Sequence, residues 1–161
     1  MLTEMGLAPD IKWPNDLLVS EKKICGILAE TTESDKGFAV VVGIGINVKS
    51  TNFPPELLTT ATSLEMERGR TGTFFEREQL LLKYFDHWYC RLIESDGPKT
   101  IVDEWSKRST YARGKTVRAA LSNEAIRGVT DGLEPNGALR IKTADGRLNI
   151  VQAGDVERLR T

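Results

Sequence analysis

Histidine and cysteine are nearly missing from this sequence, which removes much of the usual catalytic repertoire at once. Among 161 residues there are one histidine, His87, and two cysteines, Cys25 and Cys90. Two cysteines cannot form a disulfide framework, and neither stands in a Cys-x-x-Cys pair or at metal-ligand spacing from His87, so both are read as reduced and structural. A Ser-His-Asp or Cys-His arrangement needs a histidine facing a nucleophile, whereas His87 falls inside a long amphipathic stretch where packing or surface exposure is its ordinary role. Long apolar runs are missing too. None approaches the roughly 20 residues that span a bilayer, and the first residues lack the charged, apolar and small-residue segments of a signal peptide. No membrane association is expected, and the expected setting is cytoplasmic. A net charge of −1, from 22 basic and 23 acidic residues, with 28% charged and 40% hydrophobic residues, places the chain among soluble globular proteins. Walker-type phosphate loops are absent, and Gly43-Ile44-Gly45-Ile46-Asn47 matches Gly-x-Gly-x-x-Gly only at its start.

What is present reads as two unlike segments. Leu2, Met5 and Gly6 have the pattern of a last helical turn, with Gly6 just past its end where a left-handed backbone is wanted. A single turn is a poor nucleus, so the pattern is read either as the end of a longer element or as an ordinary frayed terminus. Leu17-Leu18-Val19 is a short apolar strand, 20–23 is polar, and Ile24 to Thr31 is a second strand, giving a hairpin with Lys23 at the start of its return. Phe38 to Val48, nearly all apolar and β-branched, has the pattern of a strand buried on both faces. Pro54-Pro55 starts a short helix running toward Leu64. Thr73-Phe74-Phe75-Glu76 has capping-box spacing and opens a long helix whose Leu81, Tyr84, Phe85, Trp88 and Leu92 share a face until Gly97-Pro98. Another short helix is expected over 99–109, with Ile101, Val102 and Trp105 inward. From Tyr111 the period changes to five short strands, at 116–121, 125–133, 138–143, 147–152 and 156–159, with Asn136-Gly137 and Asp145-Gly146 as hairpin turns between them. The expected fold class is α+β: a mixed domain over 1–109, then a small all-β barrel over 110–161.

The chemistry concentrates near the start. Lys12-Trp13-Pro14-Asn15-Asp16 is a polar turn carrying a cation, an amide and a carboxylate, and Lys23 follows within a few residues. A lysine is a compact cation suited to a carboxylate or phosphate oxygen, although a solvated surface lysine is the commoner case. Asp16 is a candidate magnesium ligand through one carboxylate, against the commoner role of a turn aspartate bonding its own backbone. On the strand after it, side chains alternate, so Gly43, Gly45 and Asn47 share one face and Val42, Ile44 and Ile46 the other. Paired glycines weaken a strand, so something must approach the backbone closely: a flat ligand ring, a bulge, or a tight helix contact.

These blocks, Lys12 to Asp16, Lys23-x-x-Gly-Ile-Leu-x-Glu30, Val42-Gly43-Ile44-Gly45-Ile46-Asn47-Val48 and Ala61-Thr62-Ser63-Leu64, resemble the catalytic domain of biotin protein ligases, in the same order. Asn136-Gly137-Ala138-Leu139 and Ala153-Gly154-Asp155-Val156 resemble that family's C-terminal barrel, of the Src-homology-three type. Lipoate ligases share the parent architecture, but the first block and the barrel fit the biotin group better. The resemblance implies ATP-dependent formation of biotinyl-5′-adenylate and transfer of biotin to a lysine on a carboxylase carrier domain, with biotin and ATP as substrates and Mg2+ as cofactor. It implies Lys23 as the catalytic cation beside the biotin carboxylate and α-phosphate. Gly26, Leu28, Gly43 and Gly45 would bind biotin. Lys12, Asn15, Asp16 and Asn47 would bind the nucleotide, with Asp16 its magnesium, while Asp155 and Arg160, or Arg158 by a one-residue shift, would reach toward it from the barrel.

The family's Gly-Arg-Gly-Arg-x-Gly loop, its Ser-Thr-Asn biotin segment and the helix-turn-helix of some members have no counterpart in these residues. The chain therefore corresponds to the C-terminal half of such a ligase and is expected to be inactive, or nearly so, alone. A competing expectation is a non-catalytic module that keeps a carrier-docking or dimerising surface, a homodimer being one candidate assembly. Nucleic-acid binding by the barrel ranks last: residues 111–161 carry nine Lys or Arg against six Asp or Glu, with no aromatic ladder on the strands.

Overall fold

The computed structural model describes residues 1–35, 37–49, 53–69, 74–121, 125–152 and 154–158, with the side chains of 34, 74–77, 155 and 158 set aside. Four strands, β1 (Asp10–Lys12), β2 (Asp16–Val19), β3 (Lys22–Ser34) and β4 (Gly37–Ile46), form an antiparallel meander in chain order. Helices α1 (Leu64–Arg68), α2 (Phe74–Leu92) and α3 (Gly97–Lys107) follow. Five further strands, β5 (Arg113–Ala120), β6 (Ala125–Leu133), β7 (Leu139–Lys142), β8 (Leu148–Val151) and β9 (Asp155–Arg158), make a second antiparallel sheet in the order β8-β7-β6-β5-β9. The α+β class is as expected. Among the described residues no helix is long and apolar enough to cross a membrane.

Alternation places the cores. On one face of the first sheet Leu17, Cys25, Ile27, Ile44 and Ile46 pack with Val19 and Ile24 beneath Leu2, Met5, Leu7 and Leu64. The turn over Leu2–Gly6 closes as a helix end does: Leu7 N–H donates to the Leu2 carbonyl and Gly6 N–H to that of Thr3, with Gly6 at φ +76°. In the second sheet Val117, Ala119, Leu139, Ile141, Val151 and Val156 are buried together, and the same cluster takes in Trp13, Leu18 and Tyr111. Thus the two sheets share a core. The hairpin turns at Gly137 and Gly146 both have φ +84°, as their Asn-Gly and Asp-Gly pairs require.

Three expectations are corrected. The strand at Phe38–Val48 is not buried on both faces: β4 pairs with β3 alone among the described residues, and Phe38 is 82% exposed and Val41 57%. An apolar run reports the taste of a strand, not what lies over it. In α2 the buried stripe is narrower than expected, because Leu81, Tyr84 and Trp88 are half-buried while Phe85 and Leu92 stand exposed. The short helix after Pro54 is only a 3-10 turn over Pro55–Leu57; α1 begins later, at Leu64, with the Ser63 hydroxyl accepting from Met66 N–H at 3.2 Å. The expected Thr73 cap of α2 lies outside the described residues.

Candidate functional site

The site begins with an irregularity in the β2–β3 pairing. Leu17 opposes Cys25, but Leu18 opposes Lys23, so Ile24 is an extra residue on β3, and its side chain is buried. Such a bulge re-phases the alternation. Without it Lys23 would share a face with Cys25 and Ile27, inside the core. With it, Lys23 joins Gly26 on the opposite face, and a Cβ at Gly26 would lie 3.1 Å from Lys23 Cε and 3.2 Å from Nζ.

The bulge is tied from behind by the segment before α1. Lys23 N–H donates to the Thr60 carbonyl at 2.8 Å, the Lys23 carbonyl accepts from Thr62 N–H at 2.9 Å, and Lys23 and Ala61 form a parallel bridge. The Asn47 side chain completes the knot. Its amide nitrogen donates to the carbonyls of Lys23 at 3.2 Å and Thr62 at 3.0 Å, while Asn47 N–H donates to the Ile24 carbonyl at 2.9 Å. Both amide protons of Asn47 thus serve the backbone.

Asp16 holds the charges together. Its Oδ1 lies 2.6 Å from Lys23 Nζ and its Oδ2 3.8 Å from Lys12 Nζ, because Lys12 opposes Asp16 across β1–β2 and Asp16 opposes Gly26 across β2–β3. Two cations therefore converge on one carboxylate at the rim of the sheet. Asn15 is exposed at the same turn, and its carbonyl accepts from Ile27 N–H at 2.9 Å. Beneath, on the core face, burial pushes the Cys25 thiol up from 9.0 to about 11, with Lys23 pulling it down and Asp16 pushing it up. Cys25 is neutral and inert, and Cys90 is exposed. Among the described residues no grouping of three or more His, Cys, Asp or Glu could hold a metal ion. Both oxygens of Asp16 face ammonium groups, a donor set that does not fit a resident magnesium ion.

Next to the cations lies a bare surface. Gly26 directly opposes Gly45, and Leu28 directly opposes Gly43, so all four lie on the face that carries Lys23. A Cβ at Gly45 would meet only the Gly26 carbonyl, at 3.8 Å, and one at Gly43 only that of Leu28, at 3.9 Å, within 4 Å. Among the described residues neither glycine admits a bulge or a packed helix. The result is a trough of exposed backbone ending at an ammonium pair, with Leu28 as its apolar wall.

Lys12, Asp16, Lys23, Gly26, Gly43 and Gly45 are therefore brought together, with Asn15 and Asn47 at the margins. Asp155 is placed only as a strand position, opposite Ala120 in the second sheet; its side chain, that of Arg158, and Arg160 lie outside what is described. The residue that sequence reasoning passed over is Trp13, 4% exposed, whose indole N–H donates to the Gly137 carbonyl at 3.0 Å. Its only trace in the sequence is an aromatic residue in an otherwise polar turn.

Two family models match the chain: the biotin/lipoate A/B protein ligase family over residues 4–47, and the biotin protein ligase C terminal domain over 113–159. A "Bifunctional ligase/repressor BirA" of Bacillus spizizenii is 37% identical over 94% of this chain and 47% of its own length. A "Biotin--[acetyl-CoA-carboxylase] ligase" of Paracoccus denitrificans is 31% identical over 91% of this chain and 61% of its own. The chain thus spans about half the length of the curated relatives it matches. Among solved structures, a biotin protein ligase from Aquifex aeolicus in complex with biotin and ATP superposes with a TM-score of 0.81 at 28% identity, covering 99% of this chain and 66% of the other.

Proposed function

We propose that this chain is part of a biotin protein ligase, and that its lysine pair and glycine trough form the part of the site where biotin meets ATP. The carrying observation is the geometry: Lys23 Nζ stands over Gly26 beside a side-chain-free strip of β-structure. A bicyclic ring laid along Gly43 and Gly45, against Leu28, points its valeryl carboxylate at Lys23. The carboxylate oxygen attacks the α-phosphorus of ATP. A C–O–P bond forms, the bond from α-phosphorus to the bridging oxygen breaks, and pyrophosphate leaves. Both reactants are anions, so cations that sit closest as charge is shared lower the barrier most. Lys23 spans carboxylate and α-phosphate, Lys12 and Asn15 serve the nucleotide, and the Asn47 side-chain carbonyl accepts from an amino group of the base. Asp16 holds the two ammonium groups in place; the nucleotide's magnesium arrives on its phosphates rather than on a protein cage. In the second step the amine of a carrier-domain lysine attacks the acyl carbon, the acyl–oxygen bond breaks, and AMP leaves. The Paracoccus relative's name supports a carboxylase carrier as that acceptor.

No Gly-Arg-Gly-Arg-x-Gly loop occurs in these 161 residues. Such a loop would close over the labile mixed anhydride and exclude water, so the chain by itself is expected to show little biotin-dependent pyrophosphate release. In a ligase polypeptide containing this segment, Lys23→Ala should slow adenylate formation by about 10² to 10³ fold, the effect of removing one electrostatic donor. Unchanged single-turnover adenylation in that variant rejects the assignment.

A further inference from the structure

The second sheet does more than follow the first in sequence: it grips the strand that carries Asp16. Strand β2 has only four residues, and Asp16 and Leu18 lie on the same face, about 7 Å apart along it. Asp16 holds the lysine ammonium groups, whereas Leu18 is buried among Val117, Ala119, Leu139 and Ile141 of the second sheet. Any rolling of β2 that lifts Leu18 from that core also moves Asp16.

Both ends of β2 are tied to the second sheet or to the segment that leads into it. Ahead of it, Trp13 lies in the shared core with its indole N–H on the Gly137 carbonyl, a contact across 124 residues of sequence. Just before Trp13, the Asp10 carboxylate accepts from Thr110 N–H at 2.7 Å and from its hydroxyl, and the Ser109 hydroxyl donates to the Ile11 carbonyl at 2.6 Å. Beyond β2, the two-residue turn Ser20-Glu21 has φ +50° and +66°, values that favour glycine or asparagine, and neither is present. Such backbone persists where its surroundings hold it. Here the Tyr111 hydroxyl donates to Glu21 Oε2 at 3.3 Å.

We propose that Trp13 is a positioning residue, through which the docked second sheet fixes β2 and thereby sets where Asp16 holds Lys12 and Lys23. The geometric claim stands on these contacts alone; its meaning for adenylation rests on the ligase reading above. The second sheet then acts on the site from behind, without touching a substrate.

The test reads the lysines directly in the full chain, with no need for turnover. Lys12 and Lys23 are acetylated with a small amine-reactive ester, and rates are followed by mass spectrometry against Lys99, an exposed lysine on α3 paired to Asp103. Trp13→Phe keeps an aromatic ring in the core and removes the donor. Lys23 should then react roughly two- to fivefold faster relative to Lys99, the factor for loosening one ion pair. Tyr111→Phe, which removes a single hydroxyl, should shift Lys23 in the same direction and serves as the deciding variant if Trp13→Phe does not fold. A lowered melting temperature with Lys12 and Lys23 rates unchanged relative to Lys99 would show that Trp13 only packs, and would overturn the proposal. A chain that fails to bind biotin yet shows the faster labelling would count against the ligase reading and leave this one standing.

Discussion

Replacing Gly45 by alanine separates a glycine kept for a ligand from one kept for the fold. A Cβ at this position meets nothing closer than the Gly26 carbonyl at 3.8 Å, an ordinary van der Waals distance, and the position is not among those with a left-handed backbone. Gly43 behaves alike, with its nearest atom at 3.9 Å. Alanine in place of an interior strand glycine should therefore stabilise the chain, by about 0.5 to 1 kcal/mol for each site. For a chain of this size that is a rise in melting temperature of roughly 1 to 4 °C, measurable by circular dichroism or scanning calorimetry. If a ligand ring lies on the trough, the same methyl group overpacks it, at about 1 to 3 kcal/mol, or roughly 5- to 150-fold in affinity. Equilibrium dialysis with labelled biotin, in a ligase polypeptide containing this segment, reads that half. Gly26→Ala is the internal contrast, since its Cβ would press within 3.1 Å of Lys23 Cε and push the ammonium group aside. Loss of stability in both Gly43→Ala and Gly45→Ala would refute the reasoning, because the glycines would then be answering to the fold.

Two further outcomes follow from the same region. Asn47→Ala strips the amide from the carbonyls of Lys23 and Thr62 and should cost about 1 to 3 kcal/mol in urea unfolding; an unchanged midpoint would show that the knot behind the bulge is idle. The Cys25 thiol, pushed up to about 11 by burial, contributes stability that is present below its unfolded value of 9.0 and lost as pH rises from 9 toward 11. Wild type should lose on the order of 1 to 3 kcal/mol relative to Cys25→Ala across that window, and parallel pH profiles of the two would contradict the shift.

Where the sequence could be read, local chemistry spoke. Asn136-Gly137 and Asp145-Gly146 mark their turns because few other residues accept a left-handed backbone, and the run from Tyr111 onward resolves into strands at those marks. Gly6 closes the turn over Leu2–Gly6 for the same reason. The faces of β4 were legible from alternation alone, which placed Gly43 with Gly45. Its burial was not, since eight neighbouring apolar residues have the same composition whether or not another layer covers them. The bulge at Ile24 was invisible too. Lys23-Ile24-Cys25 has ordinary strand composition, and a two-against-one opposition belongs to the pairing with Leu17 and Leu18 rather than to either strand. Trp13 reads as one more aromatic until Gly137, 124 residues later, is brought beside it.

The outer strand of the first sheet has a consequence for the test tube. From Gly37 to Ile46 it carries no charged residue and no proline, it shows Phe38, Val40, Val41 and Val42 to water, and among the described residues β3 is the one strand paired with it. Stretches of this composition stack readily into intermolecular cross-β ladders, and no lysine or proline gatekeeper interrupts this one. Concentrated solutions of the isolated chain are expected to aggregate through it, and Val41→Lys should reduce the light scattering that reports this.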